Sequence, residues 1–355
     1  MKQLMGQDDI CRANCTNVLK LIRKRGGMTR RQLEAETGLS WGGVSNTVSR
    51  LITAGYLTEK KDVSGAGSGR TPGILEIRSD DLLALGLDVN NTGLTACVIN
   101  LSGEVLNEFS AEADFSSQAA LLDGLTEMIL SVFKAFSGKK ILAIGISMQG
   151  EVDGVNGISV RLPQCPGWQN VPLKRILEEK FGIAVLIGHD PDCMLSTHLS
   201  ESSHENVVLL RLDKSVGMAA ALRGKILYGS GLWEVAHMIV DPNGPTCRCG
   251  AKGCLEGYVS RCGIDGSVNE EAISALSEPL AFAARNLTFL FRPDTLILTG
   301  HLMKYHHLFF EAFLAAYQET EPCRNVHILT VADAKSAMRG AALLAASHAV
   351  NHPEI

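Results

Sequence analysis

A chain of 355 residues with 46% hydrophobic and 20% charged side chains has the make-up of a globular protein and is long enough for two or three domains. No apolar run approaches the roughly 18 residues of a membrane span, and the opening "MKQLMGQDDICRANC" turns polar at once; the expectation is a cytoplasmic protein whose ten cysteines are reduced. Its net charge of -5 hides an asymmetry, since residues 1–80 carry 13 Lys+Arg against 8 Asp+Glu while the rest carries 20 against 30, so only the basic head suits a polyanion.

The head reads as three helices and a wing. "TNVLKLIRKRGG" places Val18, Leu19 and Ile22 on one face and stops at Gly26-Gly27. "TRRQLEAETG" opens with Thr29 and Gln32 in capping-box spacing and ends at Gly38. In "LSWGGVSNTVSRLITAGYL", Ser40 is placed to cap a third helix whose Val44, Val48, Leu51 and Ile52 face inward. That order predicts a helix-turn-helix with the third helix as reader. Its outward residues, Trp41, Ser45, Asn46, Ser49 and Arg50 with Ser40 at the start, are of the types that meet phosphates and base edges. "YLTEKKDVSGAGSGRTPGILEI" then reads as strand, glycine-rich loop and strand: a wing carrying Lys60 and Lys61, with Arg70 placed to enter a minor groove. The pattern points to duplex DNA, and the lack of an aromatic stacking platform argues against single strands.

After residue 78 apolar strands and helices alternate. "LLALGLDVNNTGLTACVIN" is two strands about a turn, 118–136 has helical spacing, "KILAIGISM" is a strand, "PLKRILEEKFG" a helix and "IAVLIGHD" a strand. A second round runs through "NVVLLRLD", the hairpin "GMAAALRGKILYG", one long helix "EEAISALSEPLAFAARNLTFLF", "TLILTG", "LFFEAFLAAYQ", "NVHILTVA" and "SAMRGAALLAASHAV". The fold class is α/β in two similar lobes.

Three cysteines, Cys247, Cys249 and Cys254, crowd into eight positions, too few and too close for an even set of disulfides. Thiolates suit a tetrahedral zinc that takes four donors, and the nearest upstream imidazole is His237. One Zn2+ per chain is the expectation, with the remaining seven cysteines as packing residues.

"CRCGAKGCLEG", "WEVAHM", "PGWQNVPL", "GHDPD" and "DVNNTG" together resemble motifs of the ROK family of repressors, open reading frames and sugar kinases. The resemblance covers nearly the whole chain and implies an actin-like two-lobed fold. Residues 1–77 form the winged helix-turn-helix and linker of the repressor branch, 78–188 with the C-terminal helix 335–350 form one lobe, and 189–334 form a second lobe with a zinc knuckle. It implies His237, Cys247, Cys249 and Cys254 as structural zinc ligands. Asp190, Glu234, His237 and Glu256 are implied as sugar contacts, with His189 where the family has Asn.

In the kinase branch the residue at Asp190 is a general base, and glycine turns expose backbone N–H groups to ATP phosphates. Here Asn90-Asn91 replaces paired glycines, Asp213, Ser215 and Ala219 replace three more, and Gly300 stands where two are usual. The resulting expectation is a non-enzymatic, DNA-binding regulator, a repressor of carbohydrate metabolism responsive to a sugar or sugar derivative, acting as a homodimer or homotetramer. The competing expectation is an active ATP-dependent sugar kinase with an accessory head.

Overall fold

The structure is a computed structural model that describes residues 6–61, 73–78, 81–91, 93–227, 234–263, 268–332 and 335–355. Arg70, Thr92 and Trp233 lie outside the described residues.

The head starts with helix α1 (Gln7–Arg25), which begins well before Val18, the first position the apolar spacing marks. Asp8 and Asp9 in its first turn and Arg23, Lys24 and Arg25 in its last oppose the helix dipole with the right signs. Strand β1 (Met28–Thr29) leads into α2 (Arg30–Thr37), where Thr29 Oγ1 accepts from the N–H of Gln32 and the Thr29 N–H donates to Gln32 Oε1 at 2.7 Å. Gly38 closes α2 at φ 68°, a left-handed conformation that glycine adopts without penalty. Ser40 caps α3 (Trp41–Thr53) by accepting the N–H of Gly43 at 3.2 Å. Val18, Leu19, Ile22, Leu33, Val44, Val48 and Leu51 are buried among the three helices. Strands β2 (Leu57–Lys61) and β3 (Gly73–Ile77) pair antiparallel, and β1 adds to β3, which completes a winged helix-turn-helix topology.

By compactness the chain forms two units: residues 1–148, 156–187 and 341–355, and residues 149–155 and 188–340. The head is part of the first. In that unit a five-stranded sheet runs in the order Ala184–His189, β7 (Lys140–Met148), β4 (Leu82–Asn90), β5 (Gly93–Asn100), β6 (Val105–Ala111). β4 pairs parallel with β7 and antiparallel with β5. The side chains of Leu82–Val89 are all buried, as a strand covered on both faces requires. Gly145 of β7 is obligatory, because a Cβ there would lie 1.9 Å from the carbonyl oxygen of Ala341.

The end of the C-terminal helix (Ser336–Asn351) and the residues after it clasp the head. Thr16 Oγ1 donates to the Asn351 carbonyl at 3.1 Å, and the N–H of Glu354 donates to the buried Tyr56 hydroxyl at 3.0 Å. Tyr56 follows α3 directly, and its N–H donates to the Leu51 carbonyl at 2.8 Å.

The second unit repeats the strand order of the first sheet: Lys225–Ile226, Val216–Leu222, Val207–Leu212, Thr295–Thr299, His327–Val331. Val207–Leu212 is antiparallel to Val216–Leu222 and parallel to Thr295–Thr299. The helix expected over "EEAISALSEPLAFAARNLTFLF" is two helices, Glu270–Ser274 and Ser277–Phe291. The break follows from Pro279, which has no N–H to give and whose ring would clash with the carbonyl of residue 275 in a continuous helix. A helix the sequence pattern did not reveal, Asp190–Glu201, follows the strand that ends at His189.

Candidate functional site

All the expected sugar-contact positions lie in the second unit. Asp190 opens its helix with Pro191 behind it, a first-turn arrangement that suits both an acid and a proline. Its side chain is 3% exposed and forms an ion pair with Arg211 Nη1, while Arg211 Nη2 pairs with Asp213. Asp213 in turn accepts the N–H of His301. His189 Nε2 lies 3.4 Å from Asp190 Oδ1, and burial together with Arg211 holds the imidazole down at about 4, neutral at physiological pH. Asp192, one turn-position further on, has no hydrogen-bond partner for its buried Oδ1, and burial pushes its carboxyl up to about 7.

Glu256, on the short helix Leu255–Val259, is 2% exposed. Its Oε2 accepts the N–H of Val216 at 3.3 Å and its Oε1 meets Arg248 Nη2 at 2.7 Å. Val216 pairs with Leu212 across the hairpin that carries Arg211, so the two acid clusters flank one turn. Glu234 differs from both: its side chain is 64% exposed and stands 3.9 Å from His237 Nε2.

The donor atoms of His237, Cys247, Cys249 and Cys254 lie within 4.8 Å of one another. Cys247 Sγ is 3.5 Å from His237 Nδ1, and Cys249 Sγ is 3.6 Å from Cys254 Sγ. Tetrahedral zinc at ordinary bond lengths sets about 3.6 Å between a sulfur and a nitrogen and about 3.8 Å between two sulfurs, so the donor set fits that geometry. Bridges Ile239 to Cys254 and Thr246 to Lys252 hold the loop. Gly253 has φ 75°, and a Cβ there would stand 1.5 Å from the Asp241 carbonyl oxygen. His237 turns Nδ1 toward Cys247 Sγ, while its Nε2 lies 3.9 Å from Glu234 Oε2, beyond hydrogen-bond reach.

At two of the expected phosphate-loop positions the side chains have local partners. Asn90 Nδ2 donates to Asp88 Oδ2 at 2.8 Å, and Asp213 is engaged as described. On the reading helix Trp41, Asn46, Ser49 and Arg50 are exposed and Ser45 is half-buried; Ser40 spends its hydroxyl on the cap. Two arginines that pair with the expected site acids escaped the sequence reading. Arg211 was signalled by a charge inside the apolar run "VVLLRL", whereas Arg248 gave no sign of pairing with Glu256.

The doubled strand order defines an α/β chain with two similarly ordered five-stranded sheets and a winged helix-turn-helix head. Residues 84–272 match the ROK family profile, and the chain belongs to the ROK family. It is 30% identical over 251 residues to a putative xylose repressor of Caldicellulosiruptor sp. (68% of this chain, 62% of the relative). It is 28% identical over 191 residues to a glucokinase of Thermotoga maritima (52% of this chain, 59% of the relative). The match thus spans less than two thirds of either relative's length. Among solved structures, a ROK family transcriptional regulator described as a homolog of the E. coli MLC protein superposes with a TM-score of 0.81 over 97% of both chains at 22% identity, which shows the same fold.

Proposed function

We propose that this chain is a DNA-binding transcription regulator of carbohydrate metabolism, a repressor whose operator affinity is set by a sugar or sugar derivative, with no phosphoryl transfer. The observation that carries the reading is the state of Asp190. A general base must be free to take a proton, and here Arg211 neutralises it inside its own unit while side chains replace the glycines of the phosphate loops. The xylose repressor among the relatives and the winged head argue the same way. Asp190, Glu256 and Glu234 would hold sugar hydroxyls through charge-assisted hydrogen bonds, with His237 and His189 as further hydrogen-bonding groups. Asn46, Ser49, Arg50, Ser45, Trp41 and Arg70 would face the DNA, with Ser40 as cap.

Zinc on His237, Cys247, Cys249 and Cys254 would be structural, since four protein donors leave no open position; bound, it would fix the loop that presents Arg248 to Glu256. Two copies as a dimer, or four as a tetramer, would present heads in pairs to a two-fold operator. The glucokinase among the relatives sustains one rival, an active sugar kinase. Calorimetric titration of a sugar panel and of ATP, alongside operator binding, separates the two. The regulator reading expects sugar binding that shifts operator affinity about 5- to 150-fold, the usual range of allosteric coupling, and no ATP turnover. ATP consumed with any sugar decides for the kinase.

A further inference from the structure

The helix Ser277–Phe291 is apolar on two sides, and the fold covers only one of them. Inward it buries Leu280, Ala281, Ala283, Ala284 and Leu287, and Thr288 Oγ1 lies 2.6 Å from the Tyr317 hydroxyl on the helix Phe310–Tyr317. Outward, Phe282 and Phe289 stand two turns apart on one face, with Leu290 beside them. Ile239 adjoins them through Met238, whose sulfur accepts from Asn286 Nδ2 at 3.6 Å. No other element among the described residues exposes three large apolar side chains. A helix that is apolar all round belongs inside a core or under a partner.

Phe282, Phe289, Leu290 and Ile239 are between 47% and 72% exposed, which at about 200 Å² per fully exposed side chain makes a patch of roughly 450 Å². That matches the apolar share, about 56–58%, of the roughly 800 Å² that each partner buries in a stable interface. Charge then selects the partner. Glu278 and Arg292, both exposed, bracket the stripe at its two ends and form no ion pair among the described residues. Arg285, in the middle, is neutralised by Glu319 at 2.9 Å and covers one face of Phe282, its Cζ 4.5 Å from the ring centroid. Turned antiparallel about the point between residues 285 and 286, a second copy of this helix brings its Phe289 opposite Phe282 and its Arg292 near Glu278, and each contact occurs twice. A parallel pairing sets Glu278 against Glu278 and Arg292 against Arg292, and like charges repel.

We infer that this helix is the two-fold interface between copies of the chain, packed antiparallel on itself around Phe282 and Phe289. The interface rests on the proposed assembly of two or four copies and supplies its joining face.

The test is sedimentation velocity of the full chain at micromolar concentration and low salt, where surface charges are least screened. Phe289→Glu, at an exposed position, halves the mass of the parent assembly and weakens association by about thirtyfold or more, the effect of removing an aromatic anchor from an interface centre. Glu278→Arg and Arg292→Glu each weaken association by about tenfold, because like charges then meet at both ends. Mixing those two variants restores it, since unlike charges face each other again in the mixed pair, an outcome that misfolding cannot produce. A parent chain that stays monomeric overturns both the interface and the multi-copy reading. An assembly that Phe289→Glu leaves intact, or a mixture no more associated than either charge variant alone, overturns the interface and leaves that reading standing.

Discussion

Replacing Arg211 by Met keeps the length of the side chain and deletes the charge that two carboxylates share. Asp190 is 3% exposed and Asp213 16%, so Asp190 bears most of the loss. Breaking a buried pair by removing one partner costs about 3–5 kcal/mol, and because Arg211 itself is 15% exposed, water relieves part of it and the lower end, about 3 kcal/mol, applies. Asp190→Asn should cost less, about 1–2 kcal/mol, because Arg211 keeps Asp213. Adding Asp190→Asn to Arg211→Met should then restore about 2 kcal/mol, since the stranded charge is gone. A two-unit chain need not unfold in one step, so the measurement is hydrogen exchange in peptides spanning 190–201 and 207–212, converted to opening free energies. Should Arg211→Met leave both peptides within about 0.5 kcal/mol of the parent, the pair does not hold Asp190 and the argument against a free base fails.

Cys249→Ser should lose the metal and lower the melting temperature, because binding free energy at such a site is folding free energy; elemental analysis near one zinc per parent chain and near none in the variant checks it. Asn46→Ala and Arg50→Ala should each cost about 1–3 kcal/mol of operator affinity if they reach base edges, with binding that weakens steeply with salt; titrations at two salt concentrations, in which neither variant differs from the parent, would show that another face reads the DNA. Burial pushes the Asp192 carboxyl up to about 7 from 3.8, so the folded chain keeps a proton that the unfolded chain releases. Its contribution is full at pH below about 4, falls as pH rises to about 7 and stays low above that. Asp192→Asn should therefore match the parent near pH 4 and melt higher at pH 8, and an unchanged difference between the two pH values would place the proton elsewhere.

The head was legible because its signals are local. Thr29 with Gln32, Gly38 and Ser40 each state a boundary within three or four residues, and the structure uses them as caps. The knuckle was legible because three thiols in eight positions leave few alternatives, and the structure brings their sulfurs together with His237. Pro279 was also visible but was outweighed by the apolar periodicity on either side. What could not be read depends on distance along the chain. Arg248 meets Glu256 only because the loop folds back, and the Tyr56 to Glu354 contact joins positions 298 residues apart. The helix at Asp190–Glu201 was hidden because its apolar residues are not periodic: Pro191, Cys193, Met194, Leu195 and Thr197 are buried in a cluster that winds around it.

The glycines that remain around the expected phosphate loops separate two demands that a phosphate-binding turn normally merges. Gly217 sits where a Cβ would stand 2.8 Å from Cγ of Pro191, and at Gly300 a Cβ would stand 2.5 Å from the Leu212 carbonyl oxygen at φ 103°. Both are fixed by packing and would be needed whether or not ATP bound. Positions 213, 215 and 219 are Asp, Ser and Ala, and the backbone accommodates a side chain at each. At 213 the side chain joins the local structure, accepting the His301 N–H and pairing with Arg211. Glycine at such positions serves mainly the close approach of a phosphate to backbone N–H groups. Sterics thus account for Gly217 and Gly300, while Asp213 is held in a local network with Arg211 and His301, and Arg211 also pairs with Asp190.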